Sequence, residues 1–479
     1  MGGKDFSCSS GRRKKYPLRL CSLGSALFLL GALFAFSNDS SPAIAENGWL
    51  QSLRIDCYFD PALSYLKATV RMSLAGAASE QLLWLAEGLQ LNSVSNGSLP
   101  AADFNRDSGQ FLLPVQGEND WELIYSGRLS PDQDSFKSAW KPDIPKTRVP
   151  VDDCYLLAYS KELLPQPLPD FTHLDFNLSV PSEWNCLGSG ILRSVQSGPI
   201  AKTYFYEDGG SKYMSFVFGR FIQIGWVNAW IPIRLHGWPG FQYGNYFTEA
   251  DIARVLTFYR GRFGDLDLPE LNVLFRGGRY FSGNSYNGLM VLNVDESWNR
   301  LSLKDRKKIQ GGSLLALSDA KTDLLAHEMA HQWWGGLISW KTPADNWLTE
   351  GLATYSTLIY LRAWQGEKTY RKILERLRQQ VKKHAKSGVP ADGFKLKLIN
   401  RDLKLYQTMV YVKPALMLTA LADRIGEGEL CIRLRTMLRE RHRRVLDSAE
   451  FLSLISAGDN ELNVLLRRWI CSWEMPDIL

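Results

Sequence analysis

The sequence is poor in cysteine and histidine and carries little excess charge. Its 479 residues include seven cysteines and six histidines, and the formal net charge is +6. The first 45 residues hold six basic and two acidic side chains, so the remainder carries only +2. Five cysteines follow residue 45, an odd number without C-x-x-C spacing, so neither a zinc ribbon nor a disulfide framework is indicated. The nearly neutral charge argues against nucleic acid as a partner.

The N-terminal segment differs from the rest of the chain. An uncharged run at residues 20–38 follows the basic stretch Arg12–Lys15, and a small-x-small pattern offers cleavage after Ala45. The apolar centre has the length of a signal-peptide core, although the whole run is long enough to cross the inner membrane as an uncleaved anchor. We therefore predict that residues 1–45 are a signal peptide or signal anchor. Both alternatives imply an exported protein, periplasmic or extracellular.

Two patterns divide the remaining chain into domains. Residues 46–236 contain short alternating runs such as "LRIDCYFD" and "KYMSFVFGRFIQI", separated by turn-forming residues, and this predicts an all-β domain. Residues 237–479 contain helix-length segments such as "TEADIARVLTFYRGRFG" and the short apolar strand "LNVLF". The sequence therefore predicts a β-rich N-terminal domain followed by an α-rich domain.

The stretch "HEMAHQWWGG", His327–Gly336, is the most informative motif. At this histidine content, about 0.004 matches to H-E-x-x-H are expected by chance. On a helix, His327 and His331 project to the same side and bring their ring nitrogens close enough to share a metal ion. Ser318 or Asp319 is suited to begin this helix, and the two glycines are suited to end it. The alternative is a pair of ordinary helix histidines.

A third metal ligand is predicted in "NWLTEGLATY". Glu350 follows His331 with 18 residues between them, which accommodates a turn and the start of a second helix. Thr342 is suited to cap that helix, with Pro343 at its first position and Asp345 at its third. Two imidazoles and one carboxylate leave a fourth coordination position open for water, so we predict one catalytic zinc ion per chain.

These motifs resemble the aminopeptidase N and leukotriene hydrolase family of gluzincin zinc peptidases. The resemblance rests on the pattern H-E-x-x-H-x18-E and on "YVKPALML", which is similar to a family segment with a functional tyrosine. It implies a saddle-like β-rich domain packed on a thermolysin-like α+β domain with a helical C-terminal part. It also implies that His327, His331 and Glu350 hold zinc, that Glu328 is the general base and that Tyr411 stabilises the oxyanion. Buried packing of this tyrosine, or a role for its neighbour Tyr406, is the alternative.

The sequence departs from the family pattern at one recognition position. Aminopeptidases of this family carry G-x-M-E-N before the zinc helix, and its glutamate binds the free amino terminus of the substrate. Here Gly288 and Met290 match, but Val291 stands in place of the glutamate. Asp295 or Glu296 is the alternative source of a negative charge. The chain also ends 68 residues after the tyrosine, before the large helical domain of many relatives, so we expect a more open cleft.

The sequence therefore predicts an exported zinc metallopeptidase that is aminopeptidase-like, with altered recognition of the amino terminus. Its expected partner is a peptide or protein substrate, hydrolysed by a zinc-activated water. The alternatives are a non-catalytic module that keeps zinc and binds peptides or proteins, and a hydrolase with a different substrate class. We expect Trp333 and Trp334 to pack in the core, and the basic helical runs to be solvated faces.

Overall fold

The computed structural model describes most of the chain between residues 50 and 474. The described residues are 50–86, 88–96, 104–105, 110–128, 154–157, 173–208, 214–278, 282–295, 317–318, 320–385, 403–441 and 444–474. The predicted signal segment, residues 1–45, lies outside them. Within these ranges, no helix combines the length and the apolarity needed to span a bilayer.

The N-terminal domain is built from two sheets. Its strands are β1 (Leu50–Asp60), β2 (Tyr65–Trp84), β3 (Leu89–Ser95), β4 (Phe104–Asn105), β5 (Gln110–Arg128), β6 (Cys154–Leu157), β7 (His173–Pro181), β8 (Asn185–Gly188), β9 (Ile191–Ser197), β10 (Ala201–Asp208) and β11 (Phe216–Gly219). The large sheet has the order β3-β5-β2-β1-β7-β10-β9, with β4 paired to β5. The small sheet has the order β6-β11-β8. This domain is all-β, as its alternating runs predicted.

One face of the large sheet forms the first hydrophobic core. Along β1, Leu53, Ile55 and Cys57 are buried, and the residues between them are at least partly exposed. This period of two follows from the pleat, which sends successive side chains to opposite faces. Cys57, Cys186, Cys431 and Cys471 are free thiols.

The second domain contains a mixed five-stranded sheet. Its strands are β12 (Ile222–Val227), β13 (Ile233–Gly237), β14 (Leu271–Gly278), β15 (Ser282–Tyr286) and β16 (Leu289–Asp295), in the order β12-β13-β14-β16-β15. The predicted boundary after residue 236 falls inside β13, which pairs in parallel with β14. The second hydrophobic core accordingly begins at Val227.

Helices cover one face of this sheet and continue beyond it. They are α1 (Glu249–Phe263), α2 (Ala320–Ala330), α3 (Trp347–Gln365), α4 (Glu367–Ala385), α5 (Leu403–Gln407), α6 (Lys413–Ile425), α7 (Glu427–Glu440), α8 (Ser448–Ser456) and α9 (Asn460–Cys471), with a π-helical turn at Thr408–Val412. Helix α3 is buried almost all round and forms the centre of the domain. Helix α4 buries one apolar stripe and turns its basic residues to solvent, as predicted.

Two further contacts connect distant parts of the chain. A small buried cluster joins Leu187 and Val217 of the N-terminal domain to Leu274, Leu289 and Val291 of the second sheet. Near the other end, β17 (Ile338–Trp340) pairs in parallel with β18 (Arg444–Leu446). The first contact joins the domains, and the second ties the segment after α2 to the C-terminal helices.

Candidate metal centre

The end of α2 presents the histidine motif. His327 and Glu328 occupy the last turn of this buried helix, and His331 follows it directly. The Nδ1 atom of His331 donates a hydrogen bond to the carbonyl oxygen of Trp334 at 2.9 Å, so in the neutral ring the Nε2 atom carries the lone pair. The α-helix ends at Ala330, several residues before the predicted stop at the two glycines, and turns continue the chain to Gly335, which has a φ of 128°.

Helix α3 supplies the predicted carboxylate. Before it, the Thr342 backbone N–H and hydroxyl both donate to the Asp345 carboxylate, at 3.1 and 2.7 Å. This is the predicted capping contact, although the residues Pro343–Asp345 form a 3-10 turn and the α-helix begins at Trp347. Glu350 therefore lies in the first turn of α3, facing the end of α2.

His327, His331 and Glu350 converge on one point. The two Nε2 atoms are 3.1 Å apart, and they lie 3.2 and 3.3 Å from Glu350 Oε2. A tetrahedral zinc ion with bonds of about 2.0–2.1 Å spaces its ligand atoms about 3.3–3.4 Å apart. The three donor atoms therefore fit one face of a zinc coordination shell. A fourth position is left for a small molecule.

The electrostatics of this cluster favour a positive charge at its centre. Burial acts to lower the pKa of His331, but the Glu350 carboxylate outweighs it and raises this pKa to about 9. Burial acts to raise the pKa of Glu350, yet the two histidines, His331 foremost, hold it well below its usual value. Without a metal ion or a proton between them, three lone-pair donors at these distances repel one another. The residues present therefore fit zinc, the metal implied by the family resemblance.

Glu328 lies beside the cluster without belonging to it. The described residues that form the metal-ligand group are His327, His331 and Glu350. Burial raises the pKa of Glu328 above its usual value, although both histidines and a hydrogen bond from Ser285 act to lower it. This is the environment of a carboxylate that can take up a proton and release it again.

Tyr411 lies beside the cluster, in the π-helical turn. Its ring stacks on that of His327 at a centroid distance of 5.9 Å, and its hydroxyl is close enough to Glu350 to feel the charge of that carboxylate. Burial, followed by the charge of Glu350, raises the pKa of Tyr411 well above its usual value, so the hydroxyl keeps its proton. The alternative tyrosine, Tyr406, packs against Tyr411 and accepts a hydrogen bond from Asn346.

The structure changes the interpretation of Val291. This residue lies on β16, in the interior of the sheet, and its fully buried side chain belongs to the cluster between the domains. Met290 and Leu292 face the helices instead. Val291 therefore faces away from the metal site, and the strand beside Glu328 is the edge strand β15. The side chains of Asp295 and Glu296 lie outside the described residues.

Sequence reasoning missed the residues that connect this edge strand to α2. Ser285 contacts Glu328, and Gly283 approaches the same side chain. Gln332 is fully buried and accepts a hydrogen bond from the Gly288 N–H at 3.0 Å. The expected packing roles of Trp333 and Trp334 hold, because both rings are fully buried and donate to Gly264 O and Ser356 Oγ.

Comparisons with known proteins agree with this site. Residues 312–469 match the model of the peptidase family M1 domain. Among curated relatives, mitochondrial aminopeptidase 2 of Saccharomyces cerevisiae is 23% identical over 268 residues, covering 54% of this chain and 26% of the relative. Endoplasmic reticulum aminopeptidase 2 of Bos taurus is 26% identical over 188 residues, covering 38% of this chain and 18% of the relative. The matched part thus spans about a quarter or less of these relatives.

Solved structures match over nearly the whole chain. The M1 zinc metallopeptidase of Deinococcus radiodurans superposes with a TM-score of 0.67 at 17% identity, covering 90% of this chain and 95% of that one. A mutant of that enzyme bound to a Tyr-Ser-Ala substrate gives a TM-score of 0.65 at 18% identity, with the same coverage. These likenesses confirm the predicted fold class, a β-rich N-terminal domain followed by an α/β domain with helices.

Proposed function

We propose that this chain, which belongs to the aminopeptidase N family of gluzincin peptidases, is a metallopeptidase with one zinc ion held by His327, His331 and Glu350. The observation that carries the proposal is the triangle of two imidazole nitrogens and one carboxylate oxygen, 3.1–3.3 Å on each side. Bound zinc would supply a Lewis acid and lower the pKa of a water molecule towards about 7.

The remaining site residues fit the proton movements of peptide hydrolysis. Glu328 is buried beside the metal ligands but is not one of them, and a purely structural zinc site has no need of such a carboxylate. In the proposed mechanism it takes a proton from the attacking water and returns it to the leaving amine. Tyr411 keeps its proton and donates it in a hydrogen bond to the oxyanion that develops on the scissile carbonyl.

The proposed substrate is a peptide or a segment of a protein. The relatives are named as aminopeptidases, and one solved neighbour is bound to a tripeptide. However, the sequence of β15, "SGNSY", contains no acidic residue, and Val291 faces away from the site. A buried ammonium group needs an anionic partner, since leaving it unpaired costs several kcal/mol. We therefore propose a peptidase without an obligatory requirement for a free amino terminus.

Hydrolysis of matched peptides tests this function. Purified protein is assayed for zinc content and for cleavage of one peptide series with free or N-acetylated amino termini, alongside Glu328→Gln. We expect the variant to keep zinc and lose turnover by roughly 10²- to 10⁴-fold. Zinc without turnover on any peptide in the wild type would favour the non-catalytic binding module. Cleavage confined to free amino termini would contradict the proposed specificity.

We also propose that the protein is exported through its N-terminal segment. The support is the order of basic stretch, uncharged run and small-residue cleavage pattern at residues 12–45. Mass spectrometry of the mature N-terminus tests it. A new terminus at Glu46 on protein outside the inner membrane is the expected result for a cleaved signal. Uncleaved protein that remains with the membrane identifies an anchor, and uncleaved protein in the cytoplasm contradicts export.

A further inference from the structure

The edge strand β15 makes two contacts with Glu328. The Ser285 hydroxyl oxygen lies 2.8 Å from Glu328 Oε2 and 2.9 Å from the backbone oxygen of the same residue. Two residues earlier, Gly283 faces the same side chain, because successive residues of a strand alternate between faces. The strand therefore brings one hydroxyl group within hydrogen-bonding distance of both the backbone oxygen and the carboxyl group of Glu328.

The approach of the strand depends on glycine at position 283. A Cβ atom placed there would lie 2.5 Å from Cγ and Cδ of Glu328, a distance that real Cβ atoms essentially never show. With Glu328 in this conformation, a side chain at position 283 would force the Glu328 carboxyl group to move. Gly283 thus brings the strand near enough for Ser285 to reach the carboxyl oxygen, and the two residues act together.

The serine hydroxyl has one hydrogen and two neighbouring acceptors. When Glu328 is a carboxylate, the hydroxyl donates to Oε2. When Oε2 has taken the proton of the attacking water, its O–H donates to Ser285 Oγ, and the serine hydrogen turns to the Glu328 backbone oxygen. Return of the proton to the leaving amine restores the first arrangement. The serine neither gains nor loses a proton over the cycle.

We infer that Ser285 is a positioning residue that holds the Glu328 carboxyl group in one orientation before and after proton transfer, and that Gly283 makes this contact sterically accessible. The inference rests on the proposed function, in which Glu328 moves the proton. It adds a residue pair from the edge strand to that mechanism. According to this inference, turnover requires the hydroxyl group of Ser285 rather than a side chain of that size.

Three variants of the zinc-loaded, full chain test the role in turnover. Ser285→Ala removes the hydroxyl, Ser285→Thr keeps it, and Asn284→Ala changes the neighbouring residue, which pairs with Val291 on the opposite face of the strand. For Ser285→Ala we expect kcat to fall roughly 10- to 100-fold, the range of a lost hydrogen bond to a charged group, with KM within about twofold. Ser285→Thr restores most of kcat, and Asn284→Ala changes little.

Three results of these assays would overturn the inference. They are an unchanged kcat in Ser285→Ala, a threonine variant as slow as the alanine variant, and a loss confined to KM. Zinc content is measured in every variant, and loss of metal from Ser285→Ala would instead assign the serine a structural role. Gly283→Ala is expected to keep zinc and to lose kcat at least as strongly as Ser285→Ala.

A crystal structure of zinc-loaded Ser285→Ala tests the positioning without turnover. We expect the Glu328 carboxyl group to rotate away from its wild-type place or to adopt more than one conformation. An unchanged, single orientation would contradict the inference. This measurement separates the two proposals, because it reports on Ser285 even if the wild type cleaves no peptide.

Discussion

We predict that zinc binding displaces a proton from His331 and that metal affinity therefore depends steeply on pH. In the metal-free protein, Glu350 overcomes the effect of burial and raises the pKa of His331 to about 9. At neutral pH this imidazole holds a proton between the donor atoms, whereas zinc requires the lone pair of the neutral ring. The proton has to leave before the metal ion binds.

The size of this pH dependence follows from the difference between the pKa of His331 and the pH of the solution. Each pH unit below about 9 lowers the neutral fraction tenfold, so apparent zinc affinity near pH 7 is on the order of 100-fold below its value above pH 9. The pKa in the folded protein is raised above the ordinary value of 6.5. The proton therefore stabilises the metal-free fold fully below pH 6.5, and this stabilisation is lost as the pH rises to about 9.

Calorimetry and chelator competition measure this linkage. Titrations of metal-free protein in two buffers of different ionisation enthalpy, near pH 7, are expected to show release of about one proton per zinc ion. Glu350→Gln removes the charge that raises the pKa of His331, so it is expected to release fewer protons. An apparent zinc affinity that stays constant between about pH 7 and pH 9 would refute the reasoning.

Three further predictions concern the helices around the site. Tyr411→Phe is expected to keep zinc and to lower kcat roughly 10²- to 10³-fold, measured on the best peptide substrate. Gly351→Ala places a Cβ atom 2.5 Å from Pro414 Cβ and is expected to cost about 1–3 kcal/mol in denaturant unfolding. Gly428→Ala, a helix position with nothing within 4 Å, is the control and is expected to be neutral or stabilising. Asp345→Ala removes the buried carboxylate that accepts hydrogen bonds from Thr342 before α3 and from Ser448 at the start of α8, so both the melting temperature and the zinc content of this variant are expected to fall.

The parts of the site that depend on local spacing could be predicted from the sequence. The interval of four between His327 and His331 brings two nitrogens together on any helix, and the structure places them 3.1 Å apart. The Thr342–Asp345 contact is similarly local, because capping depends on residues three positions apart. The fold class also followed from periodicity, since the two domains differ in their hydrophobic repeat.

The contacts of the edge strand could not be predicted in the same way. The sequence "SGNSY" of β15 lacks apolar alternation, and the contact from Ser285 to Glu328 joins residues 43 positions apart. The burial of Val291 between the domains could not be predicted for a related reason, since motif matching does not show which face of a strand a residue occupies. The π-helical turn that carries Tyr411 likewise depends on tertiary packing, because propensity does not distinguish it from an α-helix.

The parallel pairing of β17 with β18 has a consequence for biosynthesis. The segment between the histidines and Glu350 is held by Arg444–Leu446, and the Asp345 carboxylate accepts hydrogen bonds from the backbone N–H and the hydroxyl of Ser448. These partners are translated about a hundred residues after the ligands that they secure. A nascent chain therefore contains all three ligands before their geometry is fixed, and stable zinc binding is expected only after residues 444–448 have been synthesised.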